Sequence, residues 1–239
     1  MKGSDVIIDA FTELAPRYEQ VVDSEFQRFW GWSYAGFVDR LIEVAAVGAH
    51  DRVLDVATGT AVIPRRLLEQ GEADRLIVGL DITFTMLRHA QAGLQSAGSS
   101  DAVRLTCGSA MAMPFPEGFF DAVICGLGTH HMDVRTTLAE MKRVLRPGGW
   151  LTIADVAASP HWRLPGVQTL LRLVALLYYL PGKNLSRAWA EAAAVSNVRT
   201  ADEWRSILAE FGFAEVDVTM LPSRRFWSPS PLVLRATRH

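Results

Sequence analysis

The stretch "RVLDVATGTAVIPRRL", residues 52 to 67, opens as an apolar run and reaches an acid at Asp55. It then turns through Ala57, Thr58, Gly59, Thr60 and Ala61 into helical spacing. A strand, a small-residue turn and a helix in that order form the first unit of an open α/β sheet, in which ligands bind beyond the carboxyl ends of the strands. Further short apolar runs follow at 75–81, 102–107, 120–126 and 149–156, separated by segments with helical spacing. Alternating strands and helices predict a doubly wound, mostly parallel sheet, whose strands read as continuous apolar runs because helices cover both faces. The helix over 133–146 is expected to stop at "RPGG", with Pro147 cutting it off.

The rhythm breaks after the fifth strand. Residues 157–200 carry Pro160, Pro165 and Pro181, two helical stretches and the aromatics Trp162, Tyr178, Tyr179 and Trp189. They read as a helical insertion above the sheet. A helix near 201–211 and two strand candidates, "FAEVDVTML" and "PLVLRATRH", close the chain. The organisation read from this pattern is one domain over 1–239. It comprises an N-terminal helical cap at 1–48, a ligand-binding core at 49–156, a lid at 157–200 and a closing helix and strands at 201–239.

Composition bounds the function. In 239 residues, 24 basic and 26 acidic side chains leave a net charge of −2. No global field therefore favours nucleic acid or an anionic membrane. Cys107 and Cys125 sit in apolar runs and read as small buried hydrophobes in a reducing cytoplasm. The first twenty residues lack the continuous apolar core of a secretory signal. The apolar stretch at 164–182 is interrupted by Arg172 and bracketed by Pro-Gly pairs, too punctuated for a transmembrane segment. It is read first as a buried lid, with a surface for a membrane-derived substrate or a homodimer interface as the other uses.

The turn at 57–61 has one glycine where a dinucleotide fingerprint needs three. A carboxylate at its mouth disfavours a pyrophosphate and favours an ammonium group. Asp55 lies too early to cap the next helix. The second strand ends at Asp81, 22 residues beyond Gly59, where a ribose-binding acid stands in nucleotide folds. Thr83 is the better helix cap there. A nucleoside with a cationic amino-acid tail and no phosphate satisfies both acids, and S-adenosylmethionine has that form.

With "FTELAPRYEQ", "LDVATGTA", "GLDITFTML", "GSAMAMPFPEGFFDAVICGLG" and "EMKRVLRPGGWLTIAD" in that order, the chain resembles the class I S-adenosylmethionine-dependent methyltransferases, in particular the small-molecule branch with the ubiquinone and menaquinone enzymes. The resemblance implies a Rossmann-like, seven-stranded sheet whose last strand is inserted antiparallel. It implies S-adenosylmethionine as cofactor, with S-adenosylhomocysteine as product. Carried over, Asp55, Ala57 and Gly59 line the methionine moiety, with Thr60 beside them. Asp81 binds the ribose, Ile82 packs on the adenine, Ser109 and Ala110 edge that ring, and Gly126 and Leu127 follow the fourth strand. Tyr18 closes over the amino-acid end. Ala57 and Ala61 stand where glycine is common in the family, which is tolerable only if their φ angles are negative.

"GLGTHHMD" places His130 and His131 on the loop after the fourth strand, where one of them removes a proton from the acceptor or both simply pack against backbone. A metal site is not expected, because no further ligand stands at a recognisable spacing. Phe26, Phe29, Trp30, Trp32, Tyr34 and Phe37 read mostly as core, with one or two facing a pocket for a hydrophobic acceptor. Arg224 and Arg225 read as solvated charges. A nicotinamide-dependent oxidoreductase and a cofactor-binding scaffold or cyclase remain as alternatives. Nucleic-acid methylation is disfavoured, with neither a basic patch nor an Asn/Asp-Pro-Pro-aromatic motif.

Overall fold

The computed structural model describes residues 3–71, 74–180, 185–223 and 230–239; Arg224 and Arg225 lie outside them. Strands β1 (Arg52–Val56), β2 (Leu76–Asp81), β3 (Val103–Cys107), β4 (Phe120–Gly126), β5 (Leu145–Val156), β6 (Phe213–Met220) and β7 (Pro231–Arg238) form one sheet. Its order is β3-β2-β1-β4-β5-β7-β6. Strands β1 to β5 pair in parallel, while β7 is inserted antiparallel between β5 and β6. The strand order reverses at β1/β4, so the crevice of the fold opens beyond Val56 and Gly126.

Alternation along β1 divides the core in two. Leu54 and Val56 join the cluster packed under α6 (Val134–Val144) and α9 (Ala201–Glu210), where Leu138 and Trp204 are fully buried. Val53 joins the opposite cluster with Phe37 and Leu41 of α3 (Tyr34–Ala45) and Leu67 of α4 (Val62–Glu69). Each such side chain contributes about 1.5–3 kcal/mol by leaving water. Side chains also fix the helix starts. Asp133 accepts from Thr136 N–H at 2.8 Å to start α6, and Thr200 with Glu203 forms a capping box on α9.

Four expectations are corrected. First, α6 ends at Val144 and β5 already begins at Leu145, which pairs with Phe120 before a register shift carries the strand past Pro147 to Trp150. Second, Cys107 is exposed, because β3 is the sheet's outer edge and Cys107 its last residue; Cys125, on central β4, is buried. Third, the apolar helix α7 (Val167–Tyr179) is not a buried lid. None of its residues is fully buried, and Leu170, Leu173, Val174 and Leu177 are each more than half exposed, since α7 packs mainly on α8 (Leu185–Ala194) outside the sheet layers. No helix among the described residues is long and apolar enough to cross a membrane. Fourth, Thr83 holds the N-cap position of α5 (Phe84–Ser96) without a side-chain capping bond, and its N–H donates to Asp81 Oδ1 at 2.8 Å.

Candidate functional site at the switch point

Two cavities meet above β1 and β4. The first lies on the strand ends and is walled by Tyr18, Ala57, Gly59, Asp81, Ile82, Ser109, Ala110, Gly126 and Leu127, with Ile7, Phe11, Met86 and His131 closing it. All the residues expected to hold a cofactor are therefore on its wall except Asp55 and Thr60. Asp55 is fully buried behind the turn, where Thr58 Oγ1 donates to its Oδ2 at 2.6 Å. Thr60 Oγ1 points away and donates to Glu19 Oε1 at 2.8 Å. The picture of Asp55 and Asp81 gripping opposite ends of one ligand is thus replaced by one acid in the cleft and one supporting the turn.

Asp81 ties the turn to the end of β2. Its Oδ2 accepts the Gly59 N–H at 2.9 Å and its Oδ1 that of Thr83. Burial raises the Asp81 carboxyl above its ordinary value, and the two backbone N–H groups act against that rise. Burial likewise pushes Asp55 up to about 7, opposed by the Thr58 hydroxyl and assisted by the nearby Asp81 charge. Asp55 Oδ1 is buried with no hydrogen-bond partner among the described residues.

The turn is held in a conformation that few side chains tolerate. Ala57, Gly59 and Ala61 have φ of 57°, 55° and 60°, and Leu127 across the crevice has 57°. The condition that the two alanines have negative φ is therefore not met. Each spends about 1–2 kcal/mol in the left-handed region. The crowding is local, since a Cβ on Gly128 would lie 2.8 Å from Cβ of Ala57, whereas one on Gly59 would meet only the Tyr18 ring edge at 4.0 Å.

The second cavity lies between the N-terminal helices and the insertion. Its wall is largely aromatic, with Phe26, Phe29 and Trp30 from α2 (Tyr18–Phe29) and its end joined by Trp162, Tyr178 and Tyr179. Phe26, Phe29 and Trp30 are three of the six clustered aromatics, where one or two were expected to face a pocket; Phe37 is core as expected, Trp32 Nε1–H donates to Pro222 O at 2.7 Å, and Tyr34 packs on Tyr18. Phe11, Tyr18, Leu127 and His131 stand in the walls of both cavities.

Next to His131, on the wall of the second cavity, His130 Nδ1 lies 2.6 Å from Asp155 Oδ1, and Asp155 also accepts from Thr129 Oγ1 and from Val156 N–H at 2.7 Å. The partner assigns the proton to Nδ1 and leaves Nε2 as an acceptor. Burial alone would lower the His130 pKa, but the Asp155 carboxylate raises it overall; the same pairing holds Asp155 low against its own burial. Burial and the neighbouring His130 keep His131 well below the ordinary range, hence neutral.

Ligand atoms of His130, His131 and Glu191 lie within 4.8 Å of one another. Glu191, on α8, is the spatial partner that chain spacing does not reveal. Asp155 was also missed, although it carries the signal that marked Asp55 and Asp81, an acid at the carboxyl end of an apolar strand. Glu25 and Arg187, whose Nη2 lies 2.8 and 2.9 Å from the Glu25 oxygens, give no such signal.

The strand-end cleft carries Asp81 as its one carboxylate and no Lys or Arg among the described residues. Its chemistry therefore disfavours a polyphosphate and fits a sulfonium nucleoside with an ammonium tail.

The methyltransferase-domain family matches residues 54–153. The chain is 31% identical over 179 residues to a demethylmenaquinone methyltransferase of Geobacillus kaustophilus, covering 70% of this chain and 72% of that one. It is 37% identical to the demethylmenaquinone methyltransferase of Deinococcus radiodurans over 62% of this chain and 58% of the relative. The geranyl diphosphate C-methyltransferase of Streptomyces coelicolor, solved with Mg2+, geranyl diphosphate and S-adenosyl-L-homocysteine, superposes with a TM-score of 0.66 at 15% identity, over 93% of this chain and 84% of that one. That likeness is one of fold. The chain belongs to the class I S-adenosylmethionine-dependent methyltransferases. Within them its similarity is to the demethylmenaquinone enzymes.

Proposed function

We propose that the chain transfers a methyl group directly to a hydrophobic, ring-bearing small molecule seated in the aromatic cavity, with the cofactor in the strand-end cleft. The observation that carries this reading is the shared wall: Phe11, Tyr18, Leu127 and His131 face both cavities, so the reacting groups meet between them. Bound there, S-adenosylmethionine supplies a methyl group already activated by its sulfonium. The protein's part is then positioning, exclusion of water and removal of a proton.

Asp81 receives the ribose hydroxyls with the carboxylate lone pairs that Gly59 and Thr83 leave open. Ile82 lies on the adenine, and Ala110 edges it. Ser109 accepts from Met111 N–H at 3.1 Å and keeps its own hydroxyl proton to donate to the ring. Gly126 and Leu127 run along the nucleoside, while Ala57, Gly59 and Tyr18 enclose the amino-acid end. Asp55, through Thr58, and Thr60, through Glu19, brace the turn from outside the cleft. His130 Nε2 takes the acceptor's proton while Asp155 steadies the resulting imidazolium. His131, neutral, lies against Phe11 with ring centroids 5.2 Å apart and shapes the passage between the cavities.

The relatives named for demethylmenaquinone support a quinone-like acceptor, as does an aromatic wall without a basic patch. Residues 1–48 act as a cap over a 49–156 core, helices of the 157–200 insertion wall the aromatic cavity, and 201–239 complete one domain. The free thiols Cys107 and Cys125 suit the cytoplasm. A homodimer through the exposed face of α7 is the partner reading, checked by sedimentation. The deciding experiment is calorimetry with S-adenosylmethionine and S-adenosylhomocysteine, followed by the mass of products from aromatic acceptors. Binding and a gain of one CH2 are expected; no heat with either nucleoside ends the reading.

A further inference from the structure

The aromatic cavity has one polar corner, and its composition selects an acceptor class. One ring nitrogen each of His130 and His131 and a carboxylate oxygen of Glu191 lie within 4.8 Å of one another on the cavity wall. With Nδ1 turned to Asp155 at 2.6 Å, His130 in its basic form offers the corner a lone pair beside the Glu191 carboxylate. The charge balance points the same way. Arg187 is the one cation on this wall among the described residues, and it faces two acids: Glu25 at 2.8 and 2.9 Å and Glu191 at 3.6 Å. One net negative charge remains, on the side of Glu191.

We infer that this corner is a subsite for two hydroxyl groups on adjacent carbons of the acceptor, one donating to His130 and the other to Glu191, which makes Glu191 the residue that selects for a diol. The inference rests on the methyl-transfer reading for the position of the acceptor. An anionic acceptor, whether carboxylate or diphosphate, meets the excess negative charge and is excluded. A lone hydroxyl leaves Glu191 with Arg187 at 3.6 Å and without the second acceptor hydroxyl, which costs the affinity of a charged hydrogen bond.

The test uses the full chain saturated with S-adenosylhomocysteine, in EDTA. Calorimetric titration compares 2,3-dihydroxynaphthalene, 2-naphthol, 2-naphthoate and 2-naphthylmethylamine. The diol is expected to bind about tenfold or more tighter than 2-naphthol, with the carboxylate weakest. Glu191→Ala should reduce the diol's advantage to about twofold without changing S-adenosylhomocysteine affinity, and Glu191→Gln, which keeps an acceptor oxygen, should retain part of it. Equal binding of diol and naphthol by the native chain overturns the inference without relying on any variant. So does preference for the amine, a diol advantage indifferent to Glu191→Ala, or diol binding that appears only when a divalent cation replaces EDTA, which would make the three atoms a metal site. If S-adenosylhomocysteine itself does not bind, it is the methyl-transfer reading that has failed.

Discussion

The two cavities are built in different ways. The cofactor cleft is made of strand ends and the turns directly after them, with backbone amides pinned by Asp81 and small residues in left-handed conformations. The aromatic cavity is made of side chains on helices distant in sequence, joined by contacts such as Arg187 to Glu25 and Arg28 Nη1 to Tyr178 Oη at 3.2 Å. A strand-end site takes its shape from the sheet, which is the deepest part of the core. A helix-walled site takes its shape from packing that can change without disturbing the sheet. The first therefore suits a fixed cofactor, and the second a variable acceptor.

The sharpest break of this comparison removes the proposed base on the wall of the aromatic cavity. His130→Gln should lower kcat by about 10²–10⁴-fold while leaving S-adenosylhomocysteine affinity within about twofold, measured by single turnover and calorimetry. An equal loss of both would place His130 in the cofactor cleft. Next, Asp81→Ala should weaken cofactor binding by about tenfold or more, through the lost hydroxyl partner and the released Gly59 turn. Acceptor affinity should barely move.

Asp155→Asn tests the dyad by pH. The base must be neutral to work, so kcat rises as His130 loses its proton, and Asp155 holds that titration above the ordinary 6.5. Without the carboxylate the acid limb of the profile should move to lower pH and kcat should fall. An unmoved limb would separate His130 from the chemistry.

Stability gives two smaller effects. Asp55 binds its proton more tightly folded than unfolded, so between its ordinary 3.8 and about 7 the native state holds more protons and stability falls as pH rises. Asp55→Asn should shrink the loss of Tm between about pH 5 and about pH 8 by several degrees. Ala57→Gly removes a left-handed penalty of about 1–2 kcal/mol against a glycine entropy cost of about 0.5–1 kcal/mol. Tm should rise by about 2–4 °C.

The strand-end site was legible because each determinant sits where an apolar run stops. Asp81, Gly126 and the 57–61 turn announce themselves by local pattern, and so did the sheet. What pattern could not supply was direction. Asp55 stands at a strand end as Asp81 does, yet it turns behind the wall toward Thr58, because pleat and turn geometry decide which way a carboxylate faces. Ala57 and Ala61 stand where glycine is common in the family, yet alanine usually avoids positive φ, so the residue type pointed away from the left-handed turn that is found. Nor could spacing join Glu191 to His130, 61 residues away, because the contact exists only after α8 docks on the N-terminal helices. The apolar face of α7 misled for a related reason: hydropathy says that a helix has an apolar face, not which element covers it.

Helix α1 (Gly3–Leu14) reaches the cofactor cleft through Ile7 and Phe11, and the aromatic cavity through Phe11 and Leu14. A single rigid rod thus borders both chambers. Whatever ordering of that rod one ligand brings about is inherited by the other, and thermodynamic reciprocity requires the benefit to be equal in both directions. If both ligands order that rod, the first turns of the chain make cofactor and acceptor mutual effectors.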